Sequence, residues 1–236
     1  MIIYLASTKE RIEKFKGKLT DCTSYDLINA EISGLKNHLR RRANILGKHV
    51  YSAETLYRQF VSHSPESICI DEYLVRRKEQ VEELVKAIKM VREDHPEIKI
   101  WLWFGILTPF KSYRELYPLV DMILVEQYLS TTCPLMLWFW YKRKYKRFKK
   151  HGMADKLLFV LGANQADRLN LKRALKFEDP NYWLPYAKHD TFKIVIPYIK
   201  KNCPGPGVGL YDAGAQDWKI EAFLKGAEDV FRRQTE

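Results

Sequence analysis

Short apolar runs alternate with amphipathic stretches along the whole chain. The apolar runs read as strands at 2–6 (IIYLA), 25–31 (YDLINAE), 48–51 (KHVY), 67–71 (SICID), 98–104 (IKIWLWF), 121–126 (DMILVE), 157–162 (LLFVLG) and 207–211 (GVGLY). Between them, apolar residues recur three or four apart, as helices require. In 78–92 they are Val81, Leu84, Val85, Ile88 and Val91, and in 218–232 they are Ile220, Phe223, Leu224, Ala227 and Phe231. The segment 25–31 also reads as the start of a helix running to 46. Strands separated mostly by helices predict a parallel sheet, and eight strands are the number that closes a barrel.

The alternative, an open doubly wound sheet, places a glycine-rich phosphate loop after its first strand. That position here reads STKERIEKF, with no glycine. The expectation is therefore a single (β/α)8 TIM barrel over residues 1–236, a length close to the roughly 250 residues typical of the fold. CPGPG at 203–207 reads as a turn before the last strand.

In such a barrel, chemistry collects at the C-terminal ends of the strands. Those ends carry Asn29 and Glu31; Asp71, Glu72 and Tyr73; Trp101 and Trp103; Glu126, Gln127 and Tyr128; Asn164 and Gln165; and Tyr211, Asp212 and Trp218. Any one acid there also suits a helix cap or a lysine partner, and either Trp101 or Trp103 also suits the core. As a set they describe an acidic, aromatic-walled cleft suited to a carbohydrate. Glycoside hydrolysis needs two carboxyl groups, one to protonate the leaving oxygen and one to act as nucleophile or base. Adjacent acids such as Asp71 and Glu72 help, because like charges held close hold a proton on one member. The expected catalytic residues are Glu72 as general acid, Glu126 as its partner and Asp71 as a helper. Glu31, Trp103, Tyr128, Asn164, Tyr211 and Asp212 are the expected substrate contacts.

Charge changes the picture at one place. The formal net charge is +11, which favours polyanions as neighbours. The segment 134–151, PLMLWFWYKRKYKRFKKH, sets Trp138, Tyr141, Tyr145 and Phe148 on one helical face, with Lys and Arg at most other positions. It reads as a solvated outer helix or as a contact for nucleic acid, anionic lipid or an acidic glycan through Lys142, Arg143, Lys146, Arg147, Lys149 and Lys150. HLRRR at 38–42 is a second basic knot. A non-catalytic barrel that binds a polyanion is thus the alternative to a glycosidase.

Other chemistries find little support. The six histidines are scattered, with none at i, i+3 or i, i+4 from another, so no metal site is expected, although an all-oxygen magnesium site at Asp71, Glu72 and Glu126 stays open. GxSxG is absent, no cofactor fingerprint is present, and the four cysteines form no CxxC pair. MIIYLAST has no basic stretch before it and reads as a strand, so the expected compartment is the cytoplasm.

ICIDEYL (68–74) resembles the Asp-Glu signature at the fourth strand of spherulin-4-like glycoside hydrolases. DMILVEQYL resembles the sixth-strand segment where that family keeps a third acid, and the interval from Glu72 to Glu126 is of the size the family implies. The related endo-α-1,4-polygalactosaminidases, and more distantly the chitinase-like barrels, also use a fourth-strand acid. The resemblance implies a barrel in which Asp71, Glu72 and Glu126 match the functional acids. It also implies a hexosamine-containing polysaccharide as substrate and no cofactor.

Overall fold

The computed structural model describes residues 2–5, 11, 14–15, 51–61, 67–71, 78–104, 110, 114–127, 134–162, 189–211 and 216–231. In chain order its main elements are β1 (Ile2–Leu5), α1 (Ala53–Val61), β2 (Ser67–Asp71), α2 (Lys78–Asp94), β3 (Lys99–Phe104), β4 (Met122–Gln127), α3 (Pro134–Leu137), a π-helical turn (Trp138–Lys142), α4 (Arg143–Lys149), β5 (Leu157–Gly162), α5 (His189–Asn202), β6 (Val208–Tyr211) and α6 (Asp217–Phe231). The chain is a mixed α/β protein with parallel strands. It divides into two compact units, Leu27–Val125 and Met1–Asp26 with Glu126–Glu236, and the division falls inside β4.

In the unit Leu27–Val125, β3 pairs in parallel with both β2 and β4, aligning Asp71 with Trp103 and Trp103 with Leu124. The continuous apolar composition of these strands reflects burial on both faces, since Ile100 through Phe104 and Met122 through Val125 are all buried. Helix α2 buries Val81, Leu84, Ile88 and Val91 as its three-and-four spacing predicts, together with Ala87, while the expected Val85 is only half-buried. Two devices hold α1 in place. Ser52 caps it by accepting the Thr55 N–H at 3.3 Å, and Glu83 of α2 accepts the first-turn Ala53 N–H at 2.7 Å.

In the other unit, β6 pairs in parallel with β1 and β5, aligning Val208 with Ile2 and Phe159, and Tyr211 with Leu5 and Gly162. Helices α5 and α6 meet through Phe192 and Phe223, whose rings lie edge to face at 5.6 Å. Gly226 of α6 packs against α5, where a Cβ would make ordinary van der Waals contact with Ile196 Cδ1 at 3.4 Å. In the 203–207 turn, a Cβ on Gly205 would sit 2.4 Å from the Leu157 carbonyl oxygen, so glycine is required there. Tyr145 donates to the Pro204 carbonyl at 2.8 Å and Lys142 to Asn202 Oδ1 at 3.2 Å, which fastens the basic helix (134–149) to the end of α5.

The sequence expectations meet this fold unevenly. The predicted strands 2–6, 67–71, 98–104, 121–126, 157–162 and 207–211 appear with their ends shifted by a residue or so. The predicted strand 25–31 and residues 48–50 lie outside the described residues, and Tyr51 is not in a strand. One expectation needs correcting. Tyr141, Tyr145 and Phe148 share a buried face as predicted, but Trp138 is exposed and Leu137 takes its place in the core. The cause is the π-turn, in which the Arg143 N–H reaches back five residues to the Trp138 carbonyl. That wider turn moves the position in phase with Tyr141 from three residues back to four.

Candidate functional site

The site is built around the C-terminal end of β4. Successive strand residues point to opposite faces, so Gln127 and Glu126 diverge. Gln127 is fully buried and faces the basic helix, where Lys144 Nζ donates to its Oε1 at 3.4 Å. On β5, Phe159 faces the same helix, its ring 5.1 Å from that of Tyr141. The basic helix therefore covers the strand face that carries Gln127 and Phe159. Glu126 belongs to the opposite face and is only 9% exposed.

Register extends that opposite face. Val208 and Leu210 align with Phe159 and Leu161, on the side of the basic helix. Gly162 and Tyr211 are also aligned, and alternation puts both on the side turned away from it. Tyr211 is half-buried at the end of β6, beside a position that has no side chain. A buried carboxylate and a phenol thus lie on the face turned away from the basic helix, at the C-terminal ends of parallel strands. Such ends are where open and closed α/β sheets bind ligands.

The helix side has different electrostatics. Burial pushes the Lys144 amine down to about 8, and the charge of Glu126 opposes part of that shift. Among the described residues, neither Gln127 Nε2 nor the Tyr141 hydroxyl has a hydrogen-bond partner. Burial also pushes the Cys203 thiol up to about 12, against a weaker pull from Lys142. Cys203 is therefore a protonated core thiol at neutral pH and not a nucleophile.

Among the residues predicted from sequence, Glu126 and Tyr211 come to a common face. Trp103 is buried, 4% exposed, with Asp71 as its backbone register partner at the end of β2. Glu72, Glu31, Tyr128, Asn164 and Asp212 lie outside the described residues. Lys144 was hidden in a basic run, although its place three residues after Tyr141 and four before Phe148 marks it as a flank of the buried face. No three His, Cys, Asp or Glu side chains among the described residues are grouped to hold a metal ion. No described helix is long and apolar enough to cross a membrane.

No protein-family model and no curated protein sequence matches the chain. Among solved structures it is similar to an uncharacterized protein from Clostridium thermocellum that binds two copies of 5-methyl-5,6,7,8-tetrahydrofolic acid. The identity is 12% and the TM-score 0.48, over 97% of this chain and 93% of that one. It is also similar to the endo-beta-N-acetylglucosaminidase from Cordyceps militaris in its apo form. Here the identity is 11% and the TM-score 0.42, over 74% of this chain and 60% of that one. Likenesses this distant carry no chemistry across to this chain, whose own residues must supply it.

Proposed function

We propose that this chain is a glycoside hydrolase-like (β/α)8 barrel that cleaves a glycosidic bond in an amino-sugar-containing polysaccharide. The observation that carries the reading is Glu126, a buried carboxylate near the C-terminal end of β4, on the strand face turned away from the basic helix and shared with Tyr211. Glu72 is the general acid in this reading. It gives its proton to the glycosidic oxygen as the bond from the anomeric carbon to that oxygen breaks. Glu126 supplies the second carboxylate, either attacking the anomeric carbon or taking a proton from water. Asp71 orients Glu72. Tyr128 and Tyr211 pack against the apolar faces of sugar rings, and Glu31, Asn164 and Asp212 hydrogen-bond hydroxyls, whereas Trp103, buried in β3, belongs to the core and not to the substrate surface.

The test is hydrolysis of a panel of amino-sugar polymers by the wild type, Glu72→Gln and Glu126→Gln. The reading expects a cleaved polymer and, for each variant, a rate lower by at least about a hundredfold, the size of a lost general acid or base. Cleavage at full rate by both variants rejects the assignment.

A second reading is favoured by the exposure of Arg143, Lys146, Arg147 and Lys149 on α4 and of Lys150 at its C-terminal cap. With Lys142, they form a cationic surface for an anionic partner. That reading is independent of the carboxylates and compatible with them.

A further inference from the structure

We infer that the basic helix is a docking surface for an anionic lipid bilayer, with Leu135, Trp138 and Phe139 inserting at the interface and α4 supplying the positive charge. Three observations meet in one element. The first is an exposed apolar tip, since Leu135 is 71% exposed, Phe139 44% and Trp138 43%. Three large apolar side chains exposed within five residues form a patch rather than a scatter of single positions. The π-turn helps create it, because it turns Trp138 out of the buried row that Leu137, Tyr141, Tyr145 and Phe148 complete.

The second observation is charge. Arg143, Lys146, Arg147, Lys149 and Lys150 are exposed on the same helix, and residues 128–154 contain no Asp or Glu. The complementary partner is anionic. Near an anionic leaflet, each basic residue is worth about fivefold in partitioning.

The third observation chooses among anionic partners. Arg143 lies over the Phe139 ring, 5.0 Å from its centroid, so the charged and apolar parts adjoin. A nucleic-acid backbone gives no burial to a leucine, whereas the headgroup–acyl boundary accepts Leu, Trp and Phe while the cations stay among the phosphates. The opposite helix face is already committed to the core through Leu137, Tyr141, Tyr145 and Phe148. The helix can therefore lie on a membrane without unfolding, and it is not of the kind that spans one.

The test is co-sedimentation of the full chain with phosphatidylcholine vesicles, with or without roughly a third phosphatidylglycerol. A double-stranded DNA oligonucleotide at the same salt concentration is the competing arm. Binding to the anionic vesicles alone is expected, together with quenching of tryptophan fluorescence by brominated acyl chains. Leu135→Ser/Phe139→Ser should lower vesicle partitioning by about tenfold or more, because the interfacial burial is lost. Arg143→Glu/Lys146→Glu should lower it at least as far and make the residue insensitive to salt. All four side chains are exposed, and circular dichroism with thermal melting verifies that both variants stay folded. Three results overturn the inference: equal binding to neutral and anionic vesicles, unchanged vesicle binding by the Leu135/Phe139 variant, or tighter binding to DNA than to anionic vesicles.

Discussion

The two ends of β4 hold their polar groups in opposite states. At the entrance, Asp121 accepts from Arg92 Nη2 and from the Ile100 N–H, both at 2.7 Å. Arg92 also donates to the Ile98 carbonyl at 2.9 Å and to the Leu119 carbonyl through Nε and Nη2 at 3.1 and 3.0 Å. One guanidinium thus ties the end of α2 to the starts of β3 and β4. At the exit, Gln127 is buried with its Nε2 unpartnered among the described residues, the Tyr141 hydroxyl is likewise unpartnered, and Lys144 approaches Gln127 at only 3.4 Å. A buried polar group without a partner costs about 1–3 kcal/mol. Among the described residues, the entrance thus pairs its polar groups, while the exit leaves two buried polar atoms without a hydrogen-bond partner. That is the division expected of parallel α/β sheets, where the C-terminal ends serve chemistry.

The contrast breaks most visibly at Arg92. Arg92→Leu removes every guanidinium bond of the entrance, leaving only the Ile100 N–H on Asp121, and should cost about 2–4 kcal/mol, less than a fully buried ion pair because both side chains are partly exposed. Urea denaturation measures it, and a loss under about 0.5 kcal/mol would erase the contrast. A smaller effect is expected from Gly205→Ala, which forces a Cβ against the Leu157 carbonyl and should cost roughly 1–3 kcal/mol.

The exit should respond differently. Tyr141→Phe removes a hydroxyl that has no hydrogen-bond partner among the described residues from a fully buried site, and should change stability by less than about 0.5 kcal/mol, or raise it. Lys144 sharpens the comparison through pH. Its folded value of about 8 lies below its ordinary 10.5, so below pH 8 the amine is charged in both states and burial penalises the fold. Between these values the folded chain releases its proton first, and stability rises with pH. Lys144→Met should therefore melt higher than the wild type below pH 8, with the gap closing toward pH 10.5. Melting curves across that range decide it, and a gap that widens with pH would contradict the assignment.

Much of this could be read from the residues. Strands β3 to β5 were legible because burial on both faces leaves unbroken apolar runs, and α2 because a single buried face leaves a three-and-four spacing. Glu126 stood out as an acid closing such a run. The π-turn was not legible, since WFWYK contains no Pro or Gly and suits an ordinary helix equally well. Trp138 was therefore assigned to the wrong face. Gln127 was legible only as a strand-end amide and Lys144 was missed, because their pairing is a contact between β4 and a helix further along the chain, which local periodicity does not encode. Glu72, the residue paired with Glu126 by resemblance, lies outside the described residues and rests on sequence.

The most direct test compares Glu126→Gln with Asp121→Asn in one preparation, measuring both melting temperature and hydrolysis of the polymer that the wild type cleaves. The account predicts that Glu126→Gln loses at least about a hundredfold in rate. Asp121→Asn should melt lower and keep its rate. Full activity in Glu126→Gln, or loss of activity only in Asp121→Asn, would contradict it.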